Sequence, residues 1–583
     1  MEEQKKINRY KFHVIAAFLI IIYCLSIAPK SLQNDAFYTI KVGEYIAQNG
    51  IGNLNSDPFS WIELPYTFPH WLYDLSMYGI HCLAGWTGIY VSTIILTCIL
   101  GISIYFTSNK ISKNAPVSAI ITFIAMYLMK PYITARAQLV TFSLMIITIY
   151  LIEKFLEKAK KRYAIALIGV SLLIVNLHMA VWPFFFVLFL PYIAEYILSL
   201  DIFTIDLIVK LKIWLVKKYV KENKEEKIKI LEEKIKNNQR NRKQARENPY
   251  KVRITRNDNM KKLILVMIIC GFMGVLTPTG ITTPYTYLAK TMVGNTVKVI
   301  NEHLPLDLAS NQDFVAFFVA FIVVLTFIDI KIDFKHLCYY LGILYLALNS
   351  RRQVSIFLII CTPILAKLIA EIFERYAPEL QEKTIKFINN FYVKVCITTA
   401  IIIVAIQGIK QRLSEKYYYA NDYPVYAAEW IKENLDYKNI KLFNEYNYGS
   451  YLLYSGIPVI IDSRADLYSP EFNGKNDIFM DVQNVATGEA DYKETFEAYG
   501  VTHVITYSDS RLCKKLQASA KYEKIYPLTE EEKSLDNRFV IYQKIIEEPI
   551  ETSIELIESN NWSRKDYRIE KRISITRRRN KVR

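Results

Sequence analysis

At 583 residues with 52% hydrophobic side chains, the chain is more apolar than a soluble domain, and the surplus is gathered in nearly uncharged runs such as 12–28, 86–107 and 314–328, each about long enough to cross a bilayer as a helix. The formal charge of +16 lies largely in 210–262 and 564–583, so it reads as loop charge beside a membrane and not as a nucleic-acid surface. The eight cysteines stand singly, without CxxC or metal-ligand spacing, which argues against a disulfide framework and a zinc site.

In chain order, Lys5, Lys6 and Arg9 precede an apolar run that ends near Ala28. The run exceeds the apolar core of a signal peptide, so it reads as the first spanning helix. Further spans follow at 86–107, 115–129, 137–152, 163–181, 183–200, 262–277, 313–329, 335–349, 353–373 and 392–409, giving an α-helical polytopic membrane protein with about 11 transmembrane helices over residues 1–410. Lys110, Lys113, Lys154, Lys158, Lys160, Lys161, Arg162 and the basic insertion 201–261 fall on the side of the N-terminus if the helices alternate, and that side is cytoplasmic by the positive-inside rule. Within the insertion, Ile228, Leu231 and Ile235 form one stripe of a charged helix, a solvated amphipathic element that reads first as a charged cytoplasmic insertion without chemistry and, as the alternative, as a helix lying on anionic lipid.

The first outer loop, 29–85, is long and aromatic, as expected of short helices in the membrane interface. From 411 to 545 the pattern changes to that of an extracytoplasmic α/β domain. Strands are predicted at 440–443, 459–461, 501–506 and 539–542, and helices at 425–434 and 492–499. The basic tail 546–583 reads as disordered.

Ionisable groups at membrane depth cost roughly 2.5–3.5 kcal/mol each, so their placement carries functional information. Alternation puts Arg136 and Gln138, Asn176 and His178, Glu302 and His303, and Arg351 and Arg352 at the outer ends of their helices, with Asp35, Asp57 and His70 in the first outer loop. A pathway for ions would distribute such groups through the bilayer, whereas a single polar layer suits a one-sided cavity. Guanidinium groups bind phosphate bidentately, and a carboxylate can take the proton of an attacking hydroxyl. Together they describe sugar transfer away from a phosphate leaving group.

The order and shared sidedness of several short runs carry a resemblance. They are Asn34-Asp35, DPFSW at Asp57, HWL at His70, RAQ at Arg136, NLH at Asn176, TPTG at Thr277, NEH at Asn301 and SRRQ at Ser350, followed by NEYNYGSYL at Asn444 and IDSRADLY at Ile461. The chain resembles bacterial members of the GT-C superfamily of membrane glycosyltransferases, which include protein mannosyltransferases and aminoarabinose transferases. The resemblance implies a GT-C-like fold in the bacterial plasma membrane and an inverting hexosyl or pentosyl transfer from a polyprenyl-phosphate sugar to a glycan, lipid or protein acceptor. It implies Asp35 as the base. Arg351, Arg352 and Arg136 are expected on the donor phosphate, and Asp57, His70, Gln138, Asn176, His178, Glu302 and His303 on substrate. No cofactor is called for, and a divalent metal is left open because Asn34 stands where many relatives carry a second acid.

Plainer roles fit the same residues. Asp35 and Asp57 suit helix starts, Arg351 and Arg352 suit snorkelling to headgroups, Asn176 and His178 suit helix-to-helix hydrogen bonds, and Asp462 with Arg464 suits either a ligand contact or a local salt bridge. Two other functions fit the whole chain: a transporter or flippase for a lipid-linked glycan, and an inactive cell-envelope assembly protein.

Overall fold

The computed structural model describes residues 2–200, 205–220, 222–379, 383, 387 and 390–545; the tail expected at 546–583 lies outside the described residues. Helix α1 (Glu2–Ile27) leads through a short link into α2 (Asn34–Asn49), which ends at Gly50. Strands β1 (Asn53–Leu54) and β2 (Tyr66–Thr67) pair antiparallel in the first loop. Helix α3 (Trp71–Ser112) breaks at Ala84 and Gly85, where Gly85 takes φ 56°, a conformation that costs least without a Cβ. Hydropathy starts this helix at 86 because the apolar run lies beyond the glycine, whereas the structure carries it back to Trp71.

Helices α4 (Ala115–Met129), α5 (Ala137–Lys158), α6 (Lys161–Leu177), α7 (Trp182–Val187) and α8 (Leu190–Ser199) follow. The start of α4 is set by Asn114, whose side chain accepts from the Val117 amide, and by Pro116 in the first turn. The basic insertion forms α9 (Ile205–Tyr219) and α10 (Lys224–Glu247). Next come β3 (Val252–Arg253), α11 (Met260–Phe272), α12 (Thr283–Val293), α13 (Thr296–Val299), α14 (Gln312–Phe327), β4 (Ile332–Asp333), α15 (Phe334–Asn349), α16 (Val354–Tyr376) and the helix Phe391–Ser414.

Every apolar segment marked in the sequence lies largely on helix. Among the described residues, seven helical stretches are long and apolar enough to cross a membrane: Tyr10–Ile27, Trp71–Ser112, Ala115–Tyr132, Ala137–Lys158, Met179–Ser199, Arg351–Tyr376 and Phe391–Ser414. The chain is a multi-pass membrane protein. Its most enclosed helix is α16, with residues 354–366 all buried, packed against α3, α4 and α15.

Helix α2 lies against α3 at van der Waals range because Gly43 faces the main chain of the first turn of α3, where a Cβ would sit 2.2 Å from the Asp74 carbonyl oxygen. That close approach fixes the helix carrying Asp35.

Beyond Ser414 the chain forms a four-stranded sheet in the order β5 (Leu442–Phe443), β6 (His503–Tyr507), β8 (Phe539–Lys544), β7 (Tyr522–Tyr526), with β5 parallel and β8 antiparallel to β6. The strand expected at 459–461 does not join this sheet. The side-chain amide of Asn444 accepts from the Ile460 amide at 3.1 Å and donates to the Ile461 carbonyl at 2.7 Å, doing what a neighbouring strand would do. Val459 instead bridges Ser60 of the first loop. Two apolar clusters flank the sheet, and the first loop contributes Leu64, Tyr66 and Phe68 to one of them.

Candidate functional site

The first turn of α2 presents Asp35, whose Oδ2 lies 2.5 Å from Nη2 of Arg136. Arg136 is the extended residue just before α5, so its side chain projects from a helix start. Its Nη1 donates to Oε1 of Glu302 at 2.9 Å, and one guanidinium therefore joins two carboxylates from segments 267 positions apart (Asp35 and Glu302).

Glu302 sits in a short 3-10 turn, Asn301–His303, that runs beside a second one, Arg351–Gln353. Ser350 Oγ donates to the Glu302 carbonyl at 3.2 Å, and the Arg351 amide donates to the Leu304 carbonyl at 3.0 Å. Arg351 spends its guanidinium on Asn301 Oδ1 at 2.5 Å and the Pro305 carbonyl at 3.2 Å. Arg352 lies near Glu302, Arg136, His70 and His178, yet among the described residues no carboxylate or carbonyl takes a hydrogen bond from its guanidinium.

Arg136, Asn301, Glu302, Arg351 and Arg352 line a cavity of about 200 Å³ together with Gln33, Tyr132, Thr134 and Gln138. Three guanidinium groups and one carboxylate face it, and Asp35 joins through Arg136.

Electrostatics follow from this crowding. Burial works against the Arg136 charge, but Asp35 and Glu302 outweigh it and raise its pKa. Burial pulls Glu302 upward, and the guanidinium groups of Arg136 and Arg352 more than reverse that, leaving it below the usual carboxylate range. His303 is pushed down to about 4 by burial and by Arg352. His70 is pushed down to about 3 by burial, Arg352 and Arg136. Both imidazoles are therefore neutral near pH 7, able to donate or accept a hydrogen bond without adding charge.

The sequence matches no protein-family model and no curated protein. Among solved structures, the archaeal oligosaccharyltransferase AglB from Archaeoglobus fulgidus, in complex with an inhibitory peptide and a dolichol-phosphate, is similar with a TM-score of 0.50 and 11% identity over 86% of this chain and 70% of that one. The oligosaccharyltransferase of the same organism tethered to an acceptor peptide containing the NVT sequon gives a TM-score of 0.50 and 11% identity over 85% and 69%. The fold is the GT-C fold.

Within this GT-C framework the remaining sequence-marked residues separate into two groups. His70 and His178 stack edge to face with ring centroids 4.8 Å apart, and His178 Nδ1 shares a 2.9 Å hydrogen bond with Thr141. Asn176 accepts from Trp71 Nε1 at 2.9 Å and donates to the Leu276 carbonyl at 3.2 Å, so it ties α6, α3 and the turn after α11 together behind the cavity.

Asp57 lies elsewhere. It is fully buried and takes both terminal nitrogens of Arg464, at 2.6 and 3.0 Å, while Asp462 holds the same guanidinium at 2.7 Å and accepts from Tyr468 at 2.6 Å. The Arg464 guanidinium also stacks over Tyr66 and Phe59. Asp57, Asp462 and Arg464 thus bind each other and join the first loop to the sheet region.

One acid near the cavity was not singled out from the sequence. Asp466, in the Ala465–Tyr468 turn, accepts from Tyr287 at 3.0 Å and Thr291 at 3.2 Å and lies in the electrostatic field of Arg352. Burial raises its pKa, partly offset by those hydroxyls. Its signal was present, since it lies inside the IDSRADLY run.

Proposed function

We propose that this protein is a GT-C glycosyltransferase of the bacterial plasma membrane that moves one sugar from a polyprenyl-phosphate donor to a glycan, lipid or protein acceptor, with inversion, at the extracytoplasmic face where the sheet region lies. The observation that carries the proposal is the Asp35–Arg136–Glu302 bridge beside an uncommitted Arg352. A base, its orienting cation and a phosphate-binding cation stand around one cavity. The fold relative AglB, which has been captured with a dolichol-phosphate, supports a lipid-linked phosphate as ligand.

In this reading Oδ2 of Asp35 rests on Arg136 and Oδ1 accepts the proton of the acceptor hydroxyl. The hydroxyl oxygen attacks the anomeric carbon as the bond from that carbon to the phosphate oxygen breaks, and a single displacement inverts the configuration. The phosphate gains a charge as it departs with its lipid. Arg352 and Arg351 stand where that charge develops, and fixed cations there lower the barrier. Gln138, Glu302 and His303 line or neighbour the same space and meet the sugar or acceptor by hydrogen bonds. His70 and His178, paired ring to ring near Arg352, lie outside the lining and bring no carboxylate of their own to oppose its charge.

Purified wild type and Asp35→Asn are incubated with a panel of polyprenyl-phosphate sugars and membrane extract as acceptor. Turnover of one donor by wild type and its loss in the variant support the reading. Equal turnover by both removes Asp35 as base.

A further inference from the structure

Helix α9 carries a surface that the sugar-transfer reading does not use. Its Val209 and Ile213 are buried and Val216 half-buried, on the side that packs against α10, whose own stripe is the half-buried set Ile228, Leu231 and Ile235. At 100° per residue, the opposite face gathers Leu211, Trp214, Leu215, Lys218 and Tyr219 into one arc. The apolar members stand open, at 59% exposed for Leu211, 53% for Trp214, 40% for Leu215 and 68% for Tyr219. Lys210 and Lys217 border the arc on one edge and Lys212 on the other, all exposed. Lys218 lies within it, its Nζ 4.9 Å from the Trp214 ring and 5.3 Å from the Tyr219 ring.

Position selects the occupant. Ile205 follows Ser199, the end of a membrane-crossing stretch, by six positions, so the start of α9 is within about 20 Å of the bilayer boundary whatever path the chain takes. This is the end of the bundle away from the cavity, because Tyr192 of α8 donates to Glu153 near the far end of α5, whose first end carries Arg136. A short basic helix with an aromatic and leucine stripe, bordered by lysines and tethered at headgroup height, has the form of an element lying in the interface. The charge there is wholly cationic among residues 209–220, which complements anionic headgroups and not zwitterionic ones.

We infer that the outward stripe of α9 docks on anionic phospholipid of the leaflet opposite the cavity, with Trp214, Leu211 and Leu215 entering the acyl boundary and the lysines reaching phosphates. The sequence had pointed to the charged stretch now seen as α10; the structure turns the α10 stripe inward and leaves α9 as the lipid-facing member. This inference holds whatever reaction the cavity carries out.

The full chain is reconstituted into nanodiscs of phosphatidylcholine, alone or with one quarter phosphatidylglycerol, and amide hydrogen exchange is followed over residues 211–219. Exchange is expected to be at least tenfold slower in the anionic discs, with the difference abolished by 0.5 M salt. Each lysine strengthens surface binding by about fivefold, so replacing Lys210, Lys212, Lys217 and Lys218 together by Gln returns the rates to those in phosphatidylcholine. Trp214→Glu, which leaves the α10-facing side intact, removes protection in both lipids. Equal exchange in the two lipid compositions overturns the inference. Protection that grows with the number of protein copies per disc overturns it as well, by making a second copy the occupant.

Discussion

Arg136 separates two acids, and removing it tests the electrostatic logic of the site. N–O contacts of 2.5 and 2.9 Å across one guanidinium place the Asp35 and Glu302 oxygens about 6 Å apart, and two unit charges at that distance repel by about 3 kcal/mol at an effective dielectric near 20. Glu302 is 45% exposed at its side chain, so solvent screening reduces this to about half, or roughly one pH unit. In Arg136→Met the pair loses its counterion and holds a proton to higher pH. The acid limb of the rate profile with a polyprenyl-phosphate sugar is therefore expected to move up by roughly one pH unit. Arg136→Met combined with Glu302→Gln removes the repulsion and brings the limb back toward its original position. An unmoved limb in the single variant, or one that stays displaced in the double variant, refutes the claim that Arg136 serves the acids by charge.

Arg352→Ala is expected to weaken donor binding by about 10- to 100-fold, the range for a hydrogen bond to a charged group, with little change in melting temperature because no hydrogen bond from its guanidinium to a described residue is lost and Glu302 keeps Arg136 as its ion-pair partner; a titration of donor against rate and a thermal scan check both halves. Arg464→Met strands Asp57 and Asp462 without their cation in a buried setting, and a loss of about 3–5 kcal/mol is expected in denaturant melts, with Asp57→Asn plus Asp462→Asn recovering part of it. Gly43→Ala sets a methyl against the Asp74 main chain and is expected to cost about 1–3 kcal/mol while displacing α2 and lowering turnover. The folded-state values of His303, about 4, and His70, about 3, are depressed by burial and Arg352. Their contribution to stability is thus complete above the unfolded value near 6.5 and declines as pH falls from there toward 4 and then 3; melting temperatures measured from pH 7.5 to 4 follow that decline, and substituting both by Gln flattens it.

What was legible in the sequence follows from the range of the interaction involved. Apolar runs announce helices because burial in lipid acts on each segment by itself, so every such segment, from 12–28 to 392–409, lies largely on helix. Alternation then gathers Asp35, Arg136, Glu302, Arg351 and Arg352, since helix ends inherit their side from counting. Pairing across the chain is a different matter. Asp57 and Arg464 are 407 positions apart, and neither residue names its partner. The same holds for Lys335 with Glu153, 182 positions apart, and for Arg253 with Asp333, 80 apart, which tie β3 to β4 at the far end of the bundle. The strand expected at 459–461 failed for a local reason that only coordinates expose, the side-chain amide of Asn444.

The stitching of the first loop to the sheet region bears on how the protein can be cut. Val459 exchanges backbone hydrogen bonds with Phe59 and Trp61, and Trp61 Nε1 donates to Leu442. The loop so held begins at the helix bearing Asp35 and ends at His70, so the sheet region serves as one wall of the frame that aims the proposed base. A version truncated after residue 414 would keep every cavity-lining residue and still lose the frame. It would also strip Asp57 of its Arg464 partner and uncover the rings of Phe59, Trp61 and Tyr66. Such a fragment is a poor stand-in for a catalytic core, and the two regions are better handled as a single unit in any minimal design.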